Sequence, residues 1–279
     1  MTYEALWKRL TPLYEAGEAK AIVRWMLDVR FGLSMADILC GRILEMSVGD
    51  QKDLEAMMKR LSKGEPVQYV AGKADFCGRQ FHVGPGVLIP RPETAGLCQW
   101  IAEESRRVSD ILDIGTGSGC IAITLAAEMP EAKVTGWDIS DEALRIAKEN
   151  ARCLGAAIAF EQHDILDSTL IARHMSHYDV IVSNPPYICQ KEEALMERNV
   201  LDYEPHQALF VPDDDPLLFY RAIARFAINA LRTESSLYFE LNPLYALDTA
   251  EMMRHTGFDD IELRQDQYGK QRFLKAAKT

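Results

Sequence analysis

Asp110-Ile111-Leu112-Asp113-Ile114-Gly115-Thr116-Gly117-Ser118-Gly119 reads as a short strand that runs into a glycine-rich turn, and Cys120-Ile121-Ala122-Ile123-Thr124-Leu125-Ala126-Ala127 opens a helix directly behind it. Glycines at this junction permit a tight turn and let a ligand approach the backbone at a helix N-terminus. Downstream the pattern repeats. Candidate strands fall at Lys133–Asp138, 157–162, Tyr178–Ser183, 236–241 and 260–264, with helical segments between most of them. That alternation is the signature of a doubly wound α/β sheet. The last stretch, 261–264 then Gly269 then 272–275, reads as a terminal hairpin, so one edge strand is expected to be antiparallel.

Upstream the character changes. Residues 93–107 form a helical pattern that opens the α/β domain. Before it, Phe76, Phe81 and Val83, then Gly84-Pro85-Gly86, then Val87-Leu88-Ile89 suggest two short strands around a turn, followed by Pro90-Arg91-Pro92, which cannot lie inside a helix. Residues 1–63 read as successive helices. Leu54, Met57, Met58 and Leu61 recur at helical spacing, as do Trp7, Leu10, Leu13 and Tyr14. The expected division is a helical domain over 1–75, a β-hairpin linker and hinge over 76–92, and the α/β domain over 93–279.

Composition bounds the function. Of 279 residues, 31 are Lys or Arg and 42 are Asp or Glu, giving a net charge of −11. Residues 1–75 carry 11 of each sign, so the whole excess lies beyond them. Tight nucleic-acid binders present a basic face to phosphate, which weighs against a DNA partner. The most apolar stretch, 120–127, is far shorter than the ~20 residues that span a bilayer. With no secretory h-region at the N-terminus, a soluble, cytoplasmic protein is expected. The six cysteines are scattered without a C-x-x-C pair and read as reduced, mostly buried thiols; His174 and His177 lack a carboxylate cluster, and no metal is expected.

Three elements carry the chemistry. The loop spacing is G-x-G-x-G, not the G-x-G-x-x-G that cradles a pyrophosphate, which suits the methionine portion of S-adenosylmethionine. Nineteen residues after Gly119, Asp138 ends the second strand, where a carboxylate accepts hydrogen bonds from both hydroxyls of an adenosine ribose. Its alternative duty, capping the helix at 141–150, can be filled by Ser140. After the fourth strand comes Asn184-Pro185-Pro186-Tyr187, a lip that can continue neither helix nor central strand. The Asn184 oxygen and a proline carbonyl can accept the two N–H bonds of a planar amide or aminopurine, and Tyr187 can offer a stacking face. Such a nitrogen is a poor nucleophile, so acceptors that offset its developing positive charge and aim its lone pair at a sulfonium methyl supply much of the rate.

Along almost its full length the chain resembles the release-factor glutamine N5-methyltransferases (the PrmC/HemK family). The resemblance lies in Val87-Leu88-Ile89-Pro90-Arg91-Pro92-Glu93-Thr94, the loop from Asp113 to Gly119, Asp138, Asn184-Pro185-Pro186-Tyr187, Tyr203-Glu204-Pro205 with Ala208-Leu209, and Gly257-Phe258. It implies a helical N-terminal domain that engages the release factor, a β-hairpin link and a seven-stranded Rossmann-like class I methyltransferase domain. By resemblance, Gly115, Thr116, Gly117, Ser118 and Gly119 cradle the methionine end of S-adenosyl-L-methionine and Asp138 holds its ribose. Asn184 contacts donor and substrate, with Pro185, Pro186 and Tyr187 completing the glutamine pocket. His163-Asp164-Ile165-Leu166 matches the adenine-side loop, with Ile165 where an aromatic is frequent. Ala95 and Pro212-Asp213-Asp214-Asp215 also depart from the pattern, away from the chemistry. The competing readings are an adenine-N6 DNA methyltransferase, which would have to flip a base, a ribosomal-protein glutamine methyltransferase, and a non-catalytic nucleoside-binding module.

Overall fold

Apolar stripes fold the first part of the chain into α1 (Tyr3–Lys8), α2 (Ala16–Phe31), α3 (Met35–Leu39), α4 (Val48–Leu61) and α5 (Val67–Ala71). Ser34 and Ser47 cap α3 and α4 through their hydroxyls, and Gly32, in the left-handed conformation, ends α2. Leu6, Leu10, Val23, Met26, Leu27, Leu54, Met58 and Leu61 make a common core. Leu13, expected on that stripe, is half exposed, because α1 ends at Lys8 and a turn carries Leu13 outward.

A computed structural model describes residues 1–105 and 108–279. The chain forms two compact units, Met1–Lys73 with Val83–Pro85 and Met196–Glu204, and Ala74–His82 with Gly86–Leu195 and Pro205–Thr279. This partition redraws the boundaries expected from sequence. The segment Met196–Glu204 joins the helical unit from far along the chain; within it, α9 (Arg198–Tyr203) brings Tyr203, whose hydroxyl donates to the Lys63 carbonyl at 3.1 Å.

The hairpin comes earlier than the sequence suggests. β1 (Lys73–Phe76) and β2 (Arg79–His82) pair across Cys77-Gly78, both with positive φ, as a tight two-residue hairpin turn demands. The Gly84-Pro85-Gly86 turn leads instead into irregular backbone, and Val87-Leu88-Ile89 is not a strand. Then α6 (Pro92–Glu104) begins with Pro at its first turn, where the missing N–H costs nothing. The last two residues of the helix expected over 93–107, Arg106 and Arg107, lie outside the described residues.

The α/β unit continues through β3 (Asp110–Ile114), α7 (Cys120–Glu128), β4 (Lys133–Asp138), α8 (Asp141–Leu154), β5 (Ile158–Gln162), β6 (Tyr178–Ser183), β7 (Ile188–Cys189), β8 (Phe210–Val211), α10 (Leu218–Ala230), β9 (Leu231–Glu240), α11 (Ala246–Thr256), β10 (Asp260–Gln265) and β11 (Gln271–Lys278). Among the described residues, its main sheet has seven strands in the order β5-β4-β3-β6-β9-β11-β10. The strands β5 to β9 run parallel to their neighbours, and β11 is antiparallel to both β9 and β10. The antiparallel strand is therefore one place in from the edge. The hairpin turns back and inserts its second arm, Phe273-Leu274-Lys275-Ala276, against β9, because that arm carries the buried side chains.

Side chains of period two divide between the two faces. Leu112, Ile114, Ile181, Leu237, Phe239 and Leu274 pack with Tyr220, Phe226 and Met253 of α10 and α11. Ile111, Val180, Val182 and Tyr238 pack with Leu97, Trp100, Ile121 and Leu125 of α6 and α7. Each such fully buried side chain contributes roughly 1.5–3 kcal/mol. The chain passes from β5 back across the sheet to β6, which pairs with β3. The carboxyl ends of β3 and β6 therefore flank the switch point of the sheet, where ligands bind in such folds. No helix among the described residues is long and apolar enough to cross a membrane.

Candidate active site

At the carboxyl end of β3 the chain folds back on the neighbouring strand. The amides of Gly115 and Thr116 both donate to the Trp137 carbonyl at 2.8 Å, and Gly119 N–H donates to Thr116 O at 2.8 Å. Gly115, Gly117 and Gly119 all have positive φ, which side-chain-bearing residues adopt at a cost. Asp113 is fully buried and ties the turn to the helix behind it. Its Oδ2 accepts from Thr116 Oγ1 at 2.7 Å and from Ala122 N–H at 3.2 Å, while Oδ1 has no partner among the described residues. Burial pushes its carboxyl up to about 7. From α8, the buried Asn150 amide donates to Ser118 O at 2.8 Å and to His82 O at 2.9 Å, fixing the loop against the hairpin.

Asp138 closes β4 beside this loop. Its two oxygens accept from the Gly117 and Ser140 amides, each at 2.9 Å, and burial raises its carboxyl above the usual range. Ser140, not Asp138, caps α8, accepting from Ala143 N–H at 3.2 Å. The lip at the end of β6 is anchored separately. Ser183 Oγ donates to Ile114 O at 2.6 Å, locking β6 to β3, and Asn242 Nδ2 donates to Tyr187 O at 3.0 Å.

One cavity of about 280 Å³ collects these parts. Gly115, Thr116, Gly117, Ser118, Asp138, Ile165, Asn184, Pro185 and Pro186 line it, together with Thr94 from α6, Trp137, Gln207, Phe219 and Ile223. Of the residues singled out from sequence, Gly119 and Tyr187 are not in the lining. Gly119 sits beneath, where a Cβ would meet Ile123 at 3.1 Å and Ala147 at 3.3 Å. The expected stacking face of Tyr187 meets a different arrangement. The ring packs on the apolar core and its hydroxyl donates to Glu240 Oε1 at 3.1 Å. Burial beside that carboxylate raises the Tyr187 phenol far above its usual range.

Glu240 was not legible as a site residue. It ends β9 and is almost wholly buried; it also accepts from Thr94 Oγ1 at 2.6 Å, and Thr94 Oγ1 in turn accepts from Asn184 Nδ2 at 3.4 Å. The signal available was a carboxylate inside the apolar run Leu237-Tyr238-Phe239-Glu240-Leu241, a position that requires partners when buried. The cysteines are more exposed than expected: Cys98 and Cys189 are buried, Cys77 and Cys120 half-buried, and Cys40 and Cys153 exposed. His174 packs against Trp137 and Tyr178.

A parallel sheet with one reversed strand near its edge, a G-x-G-x-G turn after its first strand and a carboxylate ending the second define a class I, S-adenosylmethionine-dependent methyltransferase. The pocket fits that donor on two counts. A Cβ at Gly115 would meet nothing within 4 Å, so the turn leaves room for a ligand, and Asp138 is the half-buried acceptor a ribose needs. Residues 107–215 match the methyltransferase domain model and residues 6–72 match the PrmC N-terminal domain. The release factor glutamine methyltransferase of Bacteroides thetaiotaomicron is 46% identical over 96% of this chain and 95% of its own. That of Flavobacterium psychrophilum is 38% identical over 95% and 94%. Among solved structures, the Thermus thermophilus 16S rRNA N2 G1207 methyltransferase, in complex with AdoMet and guanosine, shares the fold with a TM-score of 0.54 at 19% identity, over 74% of this chain and 50% of that one. The chain belongs to the release factor glutamine methyltransferases.

Proposed function

We propose that this protein transfers a methyl group from S-adenosyl-L-methionine to the N5 side-chain amide of a glutamine in peptide-chain release factors, acting in the cytoplasm and on no nucleic acid. The observation that carries the reading is the meeting of residues 115–118, Asp138 and the Asn184-Pro185-Pro186 lip in one cavity.

When bound, the donor supplies an electrophilic methyl on a positively charged sulfur. The chain's own residues do the rest. Loop 115–119 receives the amino-acid end, Asp138 accepts from the ribose hydroxyls, and Ile165 covers the adenine side with an aliphatic surface. The Asn184 oxygen and a carbonyl of the proline pair each accept one N–H of the glutamine amide. Two acceptors at fixed positions hold the nitrogen's lone pair toward the methyl and stabilise the charge that develops on nitrogen. The apolar walls exclude water, which strengthens those contacts. Tyr187, anchored through its hydroxyl, holds the lip in place.

The uneven charge supports a protein partner over DNA. Residues 76–279, which carry the whole −11, repel a phosphate backbone and attract basic protein surfaces. Incubating a bacterial release factor with enzyme and donor, then sequencing its peptides by mass spectrometry, tests the assignment. One methyl on a loop glutamine is expected; methylation at another residue type would overturn it.

A further inference from the structure

Asn184 can serve as an acceptor only if its amide is turned the right way. Oxygen and nitrogen of an Asn amide are nearly isosteric, so the choice is made by what the other end touches. In this protein the other end touches a chain of groups with a defined direction. Asn184 Nδ2 lies 3.4 Å from Thr94 Oγ1, and Thr94 Oγ1 lies 2.6 Å from Glu240 Oε2. The second Glu240 oxygen takes the Tyr187 hydroxyl at 3.1 Å. Thr94 has one hydroxyl proton, and a carboxylate only accepts. Once that proton is committed to Glu240, Thr94 offers lone pairs alone. Its neighbour must then be the NH2 end of Asn184, and the oxygen is left for the cavity.

We infer that Thr94 and Glu240 are positioning residues whose hydrogen-bond polarity fixes the orientation of the Asn184 amide, so that its oxygen faces the glutamine nitrogen. The inference deepens the proposed reaction and rests on Asn184 being the acceptor of the reacting amide. Three features of the structure support it. Glu240 is buried and satisfied at both oxygens by hydroxyl donors, an arrangement built to receive and not to give. The same carboxylate holds the Tyr187 end of the lip, so both ends of Asn184-Pro185-Pro186-Tyr187 refer to one fixed group. Glu240 is itself immobilised, because its backbone carbonyl accepts from the buried Tyr220 hydroxyl at 3.1 Å, which in turn accepts from Asn242 N–H at 3.1 Å. The 3.4 Å contact at Asn184 is long, as catalytic contacts often are before substrate tightens them.

The prediction is a loss of chemistry without a loss of donor binding. Thr94→Val is close to isosteric and removes the acceptor. The NH2 end is then left against a methyl with no acceptor, so the amide turns that end toward the cavity, and single-turnover methylation of a release factor at saturating donor should fall by about 10- to 100-fold, a fraction of what deleting an acceptor outright costs. Calorimetric affinity for S-adenosylhomocysteine should stay within about twofold of the parent. Thr94→Ser restores the hydroxyl and should restore the rate to within a few-fold. Glu240→Met supplies a second variant should the valine unfold the protein: it removes the carboxylate, frees the Thr94 proton to turn toward Asn184 and so favours the flipped amide, and the same rate should fall.

Asn184→Ala run alongside separates the two claims. A slow Asn184→Ala with Thr94→Val or Glu240→Met at the parent rate would overturn the relay and leave the acceptor reading standing. An unimpaired Asn184→Ala would overturn both. A Thr94→Ser variant as slow as Thr94→Val would also contradict the relay, because packing, not polarity, would then be at stake.

Discussion

Asp138 illustrates how much one side chain is asked to do. Its oxygens hold the Gly117 and Ser140 amides, and a donor's ribose hydroxyls would come to the same carboxylate. Hydrogen bonds to charged groups contribute about 1.5–3 kcal/mol, so Asp138→Ala should weaken S-adenosylhomocysteine binding by roughly 10- to 100-fold in calorimetry. Burial raises the Asp138 carboxyl, which gives the affinity a pH dependence of known sign. As pH falls toward that raised value the carboxylate takes a proton, one acceptor becomes a donor, and binding should weaken. Asp138→Asn should bind less tightly throughout and show a flatter profile; an equally steep profile would place the titration elsewhere. Asn184→Ala should do the opposite of Asp138→Ala. It should leave donor affinity near that of the parent and cost on the order of 10²–10³ in single-turnover rate.

The elements explain both what sequence reveals and what it conceals. β3, β4 and β6 fall on the residues expected for them, because each is a β-branched run bounded by a glycine, an acid or a proline lip. Their carboxyl ends hold the loop, Asp138 and Asn184, so most of the site was legible with the strands. The hairpin was misplaced because Gly84-Pro85-Gly86 looks like the stronger turn, whereas the pair Cys77-Gly78 carries the positive φ that a two-residue hairpin needs. The position of β11 was concealed for a different reason. A hairpin read from sequence shows which arms pair with each other, not which arm faces the rest of the sheet. Glu240 and Thr94 were invisible as a pair because 146 residues separate them and only the closed sheet brings them together. At this scale Gly136 offers a test. A Cβ there would lie 2.8 Å from the Phe160 ring and 3.0 Å from Thr116 Oγ1. Overpacking of this kind costs about 1–3 kcal/mol, so Gly136→Ala should lower the melting temperature by several degrees and weaken donor binding by shifting Thr116. A variant that melts like the parent would mean β4 and β5 yield freely.

At the scale of the molecule, a buried carboxylate with no cationic partner makes stability depend on pH in a direction opposite to that of the ion-paired carboxylates. Asp113 is completely buried and pushed up to about 7, against an ordinary value near 4 for an unfolded chain. Between those values the folded state holds a proton that the unfolded state has released. Raising pH through this window therefore favours unfolding, and the stabilisation is fully present below it. Asp266 and Asp179, lowered by backbone amides and by Arg272 and Arg232 respectively, act in the other sense and lose their contribution in acid. Asp113→Asn should thus remove a decline in melting temperature between about pH 4 and pH 7, measured on the protein without donor. If parent and variant run parallel across that range, Asp113 titrates normally in the fold.

The central claim concerns the atom that receives the methyl. Transfer of tritium from labelled S-adenosylmethionine should be compared on a folded release factor, on a short glutamine peptide drawn from it and on duplex DNA, with Asn184→Ala enzyme as the control. The account predicts efficient label in the release factor at a glutamine side chain, weak label in the peptide because nothing orders its amide against the lip, and none in DNA, with the Asn184→Ala reaction slowed by on the order of 10²–10³. Label in DNA and not in the release factor would contradict it.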